Sequence, residues 1–129
     1  MITLSKVSIQ FFTPAHTNDK DGNTAISIEV FNFDRTKIVA KGGLFAGNIA
    51  FPDNGTLSPL YAFDAHPPNI NKTDIAHGSF DIAITPVGND TWVFTPILTL
   101  MFSDNSSIVY NNYSNRVVDQ DGATTTFVF

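Results

Sequence analysis

Two short stretches have the residue types and spacing to hold a hard cation: Asp19-Lys20-Asp21-Gly22 and Asp119-Gln120-Asp121-Gly122. Alternate aspartates on a turn aim two carboxylates at one spot, and the glycine lets the backbone curl so that a carbonyl can join them. Calcium takes roughly six to eight oxygen ligands of this kind. Neither stretch is an EF-hand, since Thr17 would open the first loop and Ile28 would close it, where that motif needs an acid. The same turns also have an ordinary reading. Aspartate and glycine are leading turn formers, and an aspartate carboxylate satisfies neighbouring backbone N–H groups without any metal.

Other chemistry finds little material. The absence of cysteine excludes disulfides, thiol catalysis and thiolate-bound zinc. His16, His66 and His77 all fall in polar stretches, where a His/Asp transition-metal site competes with plain surface histidines. Paired-carboxylate catalysis has no frame, because the single glutamate, Glu29, sits in a strand pattern. No nucleophile elbow or glycine-rich phosphate loop is present, and Gly42-Gly43 reads as a hairpin turn. The expectation is a protein that binds and does not catalyse.

Eleven of the twelve acids are aspartate, a residue poor in helices and strands and at home in turns, so the negative charge belongs to loops. The net charge is −5, and the seven basic residues are scattered singly, which argues against nucleic acid as a partner. No apolar run approaches the roughly 20 residues of a membrane-spanning helix. The start, Met1-Ile2-Thr3-Leu4-Ser5-Lys6, moves directly into a strand pattern without the basic and apolar regions of a signal peptide. That leaves a cytoplasmic protein, one exported by another route, or one that has lost a leader.

The elements that must position these residues are strands. Thr91 to Phe102, TWVFTPILTLMF, alternates strictly, with Trp92, Phe94, Leu98, Leu100 and Phe102 on one side and Val93, Ile97 and Met101 on the other. This period of two, rich in aromatic and β-branched residues, predicts a long strand covered on both faces. Pro96 has no N–H to give, so an edge or a bulge is required there. Similar alternation predicts strands near 4–12, 24–33, 37–40, 44–50, 60–63, 76–85, 108–110, 116–118 and 123–129, separated by turns rich in Gly, Pro, Asn and Asp. Eight to ten short strands in 129 residues predict one all-β domain, an antiparallel β-sandwich or jelly roll spanning 1–129.

If consecutive strands run up and down, every second loop falls at the same end. That count gathers Asp19, Asp21, Asp64, Asp104, Asp119 and Asp121 at one end, with His16 and His66, and leaves Asp34, Asp53 and Asp90 at the other. Clustered carboxylates repel one another unless a positive charge stands among them. Aromatic residues offer a separate lead. Tyr61, Tyr110 and Phe31 belong to strands with rings on both faces, and on a solvated sheet face they could stack on sugars or meet a partner. The alternative is that a second packed layer covers them. Trp92 belongs with the core set.

A sandwich of this length, free of cysteine and bearing Asp19, Asp21, Asp119 and Asp121 on its loops, resembles the C2 and PLAT class of modules. The resemblance is architectural and spans the chain. It implies calcium bound by the loop aspartates and a lipid headgroup or protein ligand met by the loop tips; only Lys20, Lys41 and Lys72 stand near that end to help with lipid. The expected function is therefore a non-catalytic calcium-binding module. The alternatives are a carbohydrate-binding module or lectin using an aromatic sheet face, and a self-associating structural subunit, a homo-oligomer of this chain.

Overall fold

In the computed structural model, which describes residues 1–65, 70–111 and 115–129, the alternating segments form ten strands in two antiparallel sheets. In chain order these are β1 (Leu4–Thr13), β2 (Ala25–Phe31), β3 (Ile38–Phe45), β4 (Thr56–Leu57), β5 (Tyr61–Asp64), β6 (Ser79–Thr85), β7 (Thr91–Phe102), β8 (Ser107–Tyr110), β9 (Arg116–Asp119) and β10 (Thr124–Val128). A 3-10 turn at Lys72–Ile75 precedes β6, and no helix among the described residues is long and apolar enough to cross a membrane. The all-β sandwich is the architecture that the alternation predicts.

One sheet has the order β10-β6-β2-β3. The other has β1 and β7 at its centre, with β4 and β5 both paired to β1 and β8 and β9 both paired to β7. Its six strands therefore make four rows, because each outer row is an interrupted strand. The interruption beside β7 explains Pro96. Tyr110 of β8 pairs with Leu98, Arg116 of β9 pairs with Phe94, and Pro96 falls between the two ladders, where among the described residues no partner asks for an N–H. On its other side Pro96 lies opposite Phe11 in the β1 ladder.

The core lies between the sheets. Val7, Ile9 and Phe11 of β1, Ile28 and Val30 of β2, Phe80 and Ile82 of β6, and Trp92, Phe94 and Leu98 of β7 are all buried. Trp92 is in the core as its pattern requires, and its indole Nε1 donates to Thr13 Oγ1 at 3.0 Å. Its ring stacks on Phe94 with centroids 4.1 Å apart and meets Phe11 edge-on at 5.1 Å. Most of the phenylalanines thus serve packing, since ring pairs of this geometry add to the burial of their large apolar area.

Two expectations about the strands are corrected. Lys41-Gly42-Gly43 is not a turn but lies within β3, and residues 46–50, expected in a strand, are irregular, with Ala46 at φ 57°. A Cβ on Gly42 would overlap the Phe63 ring and come within 2.8 Å of Ile28 Cγ2. Glycine is required there because Phe63, from the other sheet, crosses β3.

Candidate functional site

Merging 37–50 into one strand moves the later loops to the other end of the sandwich, and continuing β8 into β9 moves the last loop back. The pairing registers give the result. Asp119 lies opposite Thr91, and Asp90 accepts a hydrogen bond from the Asp21 backbone N–H, so Asp19, Asp21, Asp90, Asp119 and Asp121 share one end. Asp64 pairs with Lys6 near the start of β1, and Asp104 follows the end of β7, so both lie at the opposite end. The expected six-aspartate cluster is therefore split, and Asp90 and Asp53, whose carbonyl accepts from the His16 N–H, join the end from which they were excluded.

Within that end Asp119 is engaged with its own turn, and Asp90 reaches across to the Asp21 N–H. Asp119 Oδ1 accepts from the N–H groups of Asp121 and Gly122, and at the far end Asp104 Oδ1 accepts from the Ser106 N–H and hydroxyl. Those Ser106 bonds hold the Asp104 carboxyl below its ordinary pKa. Asp121 is exposed, as are Asp19 and Asp21. Asp90 is the first cause pushing the Asp21 carboxyl up, followed by burial and by Asp19, with Lys20 opposing. Among the described residues no group of three or more His, Cys, Asp or Glu is placed to hold a metal ion. His16 sits in the left-handed region at φ 60°, and His66 lies outside the described residues.

The positive charge at this end is Lys20. Its side chain is fully buried, and the ammonium shares its three N–H donors among four backbone carbonyls: Asp21 at 2.9 Å, Thr24 at 2.7 Å, Ala46 at 2.8 Å and Ile49 at 2.6 Å. It also stands 4.9 Å from the centre of the Phe51 ring, and its backbone pairs with that of Phe51. A cage of carbonyl oxygens is what a protein offers a hard cation, and here a tethered ammonium fills it. Burial brings the Lys20 pKa down to about 8, against the pull of Asp90 and Asp21. Lys20 was legible in the sequence only as the variable residue of an Asp-x-Asp-Gly turn and as one of three cations near the acidic end. Two of its partners, Ala46 and Ile49, are more than twenty-five residues away, and no local pattern announces them.

The three aromatic candidates do not share a face. Tyr61 faces inward on β5, its ring 4.6 Å from Phe45, with a buried hydroxyl that has no hydrogen-bond partner among the described residues. Phe31 lies on the outer side of the four-stranded sheet under the Arg35 guanidinium, 4.0 Å away. That guanidinium also donates to Ser79 Oγ and Asp81 Oδ2, both at 2.7 Å, so the ring is already covered. Tyr110 alone opens on a cavity. Tyr113 lies outside the described residues.

That cavity is a cleft of about 350 Å³ between the open edges of the two sheets, where β8 faces Phe129. Leu100, Phe102, Ile108, Tyr110 and Phe129 give it an apolar wall, with the Tyr110 and Phe129 rings 4.7 Å apart. Burial raises the Tyr110 phenol above its ordinary pKa. Lys72 and His77 also line it, the Lys72 ammonium 4.7 Å from the Phe102 ring centre. Sequence reading singled out Tyr110 but not Lys72 or His77 as its neighbours. They come from the segment around the 3-10 turn, which no periodicity ties to β8. A wider concavity of about 560 Å³ between β3 and β5 is lined by Lys41, Gly43, Ala62, Phe63, Asp64 and Ala65.

Comparison with protein families, with curated proteins and with solved structures found no match to this chain.

Proposed function

We propose that this protein is a non-catalytic β-sandwich binding module whose ligand enters the cleft beside Tyr110. The ligand is a small amphipathic molecule with an apolar or aromatic body and an anionic end. The observation that carries this reading is the pairing of an apolar wall, built from Leu100, Phe102, Ile108, Tyr110 and Phe129, with two basic side chains, Lys72 and His77. At about 350 Å³ the cleft falls at the lower end of the roughly 300–1,000 Å³ of small-molecule sites, which also combine apolar walls with a few polar groups. Calcium at the acidic end has weaker support, because the Lys20 ammonium already occupies the carbonyl cage there.

Titration of isotope-labelled protein with decanoate and with naphthalene-2-carboxylate, followed by amide NMR, tests the reading. Shifts centred on His77, Ile108 and Tyr110 are expected. Ile108→Trp, which fills the cleft, should abolish them while the protein still melts cooperatively. Lys72→Gln should weaken the carboxylates about tenfold, the loss of one charge-assisted contact, and leave neutral naphthalene-2-methanol unaffected. Absence of shifts up to millimolar ligand, or shifts that Ile108→Trp does not alter, would rule the cleft out.

A further inference from the structure

The two sheets present very different outer faces to the surroundings. On the four-stranded sheet that face carries Glu29 opposite Lys41, with Arg35 bridged to Asp81. On the six-stranded sheet, the register places Ser8, Gln10 and Phe12 of β1 beside Thr99, Ile97 and Thr95 of β7; Ser8 is buried among its neighbours and the other five are half-buried. Val109 and Val117 flank them from β8 and β9, each more than half exposed at 52% and 58%, and Leu57 flanks them from β4 at 52%. No ionised side chain stands among these residues. Lys6 and Asp64 appear only at one end of the face and Asp119 at the other. A chain with net charge −5 has thus kept its charge off the middle of its broadest sheet.

We infer that this face binds a second copy of the chain, six-stranded sheet against six-stranded sheet. Three features favour a copy over another occupant. A charge-free surface can meet itself without bringing like charges together, whereas any patch sharing the chain's negative excess would repel its twin. A lipid surface would call for a basic rim, and this rim holds Asp64 and Asp119 with Lys6 as its single cation. The area is also sufficient. Two central rows paired along roughly 30 Å, flanked by interrupted outer rows and spaced by about 4.8 Å, give a face on the order of 500 Å² per copy. Two such faces bury about 1,000 Å², the size at which a specific interface begins. Alternating threonine and aliphatic side chains also suit the aligned packing by which sheets stack about 10 Å apart. Interfaces at this small end include weak, transient ones, so the association is read over a wide range of concentration.

Light scattering after size exclusion and sedimentation equilibrium on the full chain, from micromolar to millimolar, read the answer. The mass should rise from one chain to two across that range. Ile97→Lys and Thr99→Lys, whose side chains point away from the core, should each raise the dissociation constant at least tenfold. Ala83→Lys, on the outer face of the other sheet, should leave it unchanged. Near-ultraviolet circular dichroism checks that each variant keeps the native core around Trp92. A single-chain mass up to millimolar overturns the inference, including where vesicles or a different protein occupy the face. So does a dimer broken by Ala83→Lys but not by Ile97→Lys. Cleft binding is read separately and stands or falls alone.

Discussion

At the scale of single residues, Lys20 has the largest structural consequence. One ammonium ties the turn that contains Asp21 and Thr24 to the segment from Ala46 to Ile49, two stretches that no strand pairing joins beyond the Lys20–Phe51 bridge. Replacing it with an isosteric apolar residue leaves four carbonyls without their donor and Asp90, itself buried, without its nearby cation. Breaking a buried charged arrangement from one side costs about 3–5 kcal/mol. Lys20→Met should therefore destabilise the protein by about that amount in urea unfolding, with m unchanged if the unfolded ensemble is unaffected. A loss under about 1 kcal/mol would mean that water replaces the ammonium in the cage at little cost.

At the scale of elements, the outcome depends on where two strands cross and where two others stop. Gly42 faces the core within β3, and the space its missing side chain leaves is filled by the Phe63 ring. Gly42→Ala forces that ring or Ile28 aside and should cost about 1–3 kcal/mol, measured as a lowered denaturation midpoint. The trimmed variant Phe63→Leu in the same background should recover part of the loss. The strands themselves were readable from alternation, and the need for a break at Pro96 was readable from its missing N–H. The Gly42-Gly43 pair misled because a double glycine signals a turn locally, while its reason here is an aromatic ring from another sheet. For the same reason β8 and β9 looked like two strands reversing on each other: only their shared neighbour, β7, shows that they form a single broken row. The two misreadings displaced Asp53, Asp64, Asp90 and Asp104 yet left Asp119 and Asp121 at the right end. The aromatic candidates fared likewise. Alternation could say that Tyr61, Tyr110 and Phe31 lie on strands, but only the packing decides that Arg35 covers one and Phe45 another.

At the scale of the whole molecule, the separation of charge from apolar surface governs how stability responds to pH. Lys20 has a folded pKa of about 8, below its ordinary 10.5, so between those values the unfolded chain holds more protons than the folded one. Folding therefore gains an added increment as pH rises from about 8 through the ordinary value, on top of what the caged ammonium contributes below it, and that increment is lost as pH falls through about 8. The melting temperature should therefore climb between pH 8 and pH 10, and Lys20→Met should lack the climb. On the acid side the sign is the usual carboxylate one. Hydrogen bonds from Thr36 and Ser106 depress Asp34 and Asp104, whose contribution is present above their ordinary pKa and fades as pH falls through the lowered one. Calorimetry across pH 2–10 on both proteins checks the two limbs together.

The ammonium in its ring of carbonyls has one more effect, on how the molecule travels. A counter-ion borrowed from solution can be stripped by a chelator or diluted away, but a lysine cannot be dialysed out of its own chain. The end of the sandwich that Lys20 holds together should therefore melt at the same temperature with and without EDTA.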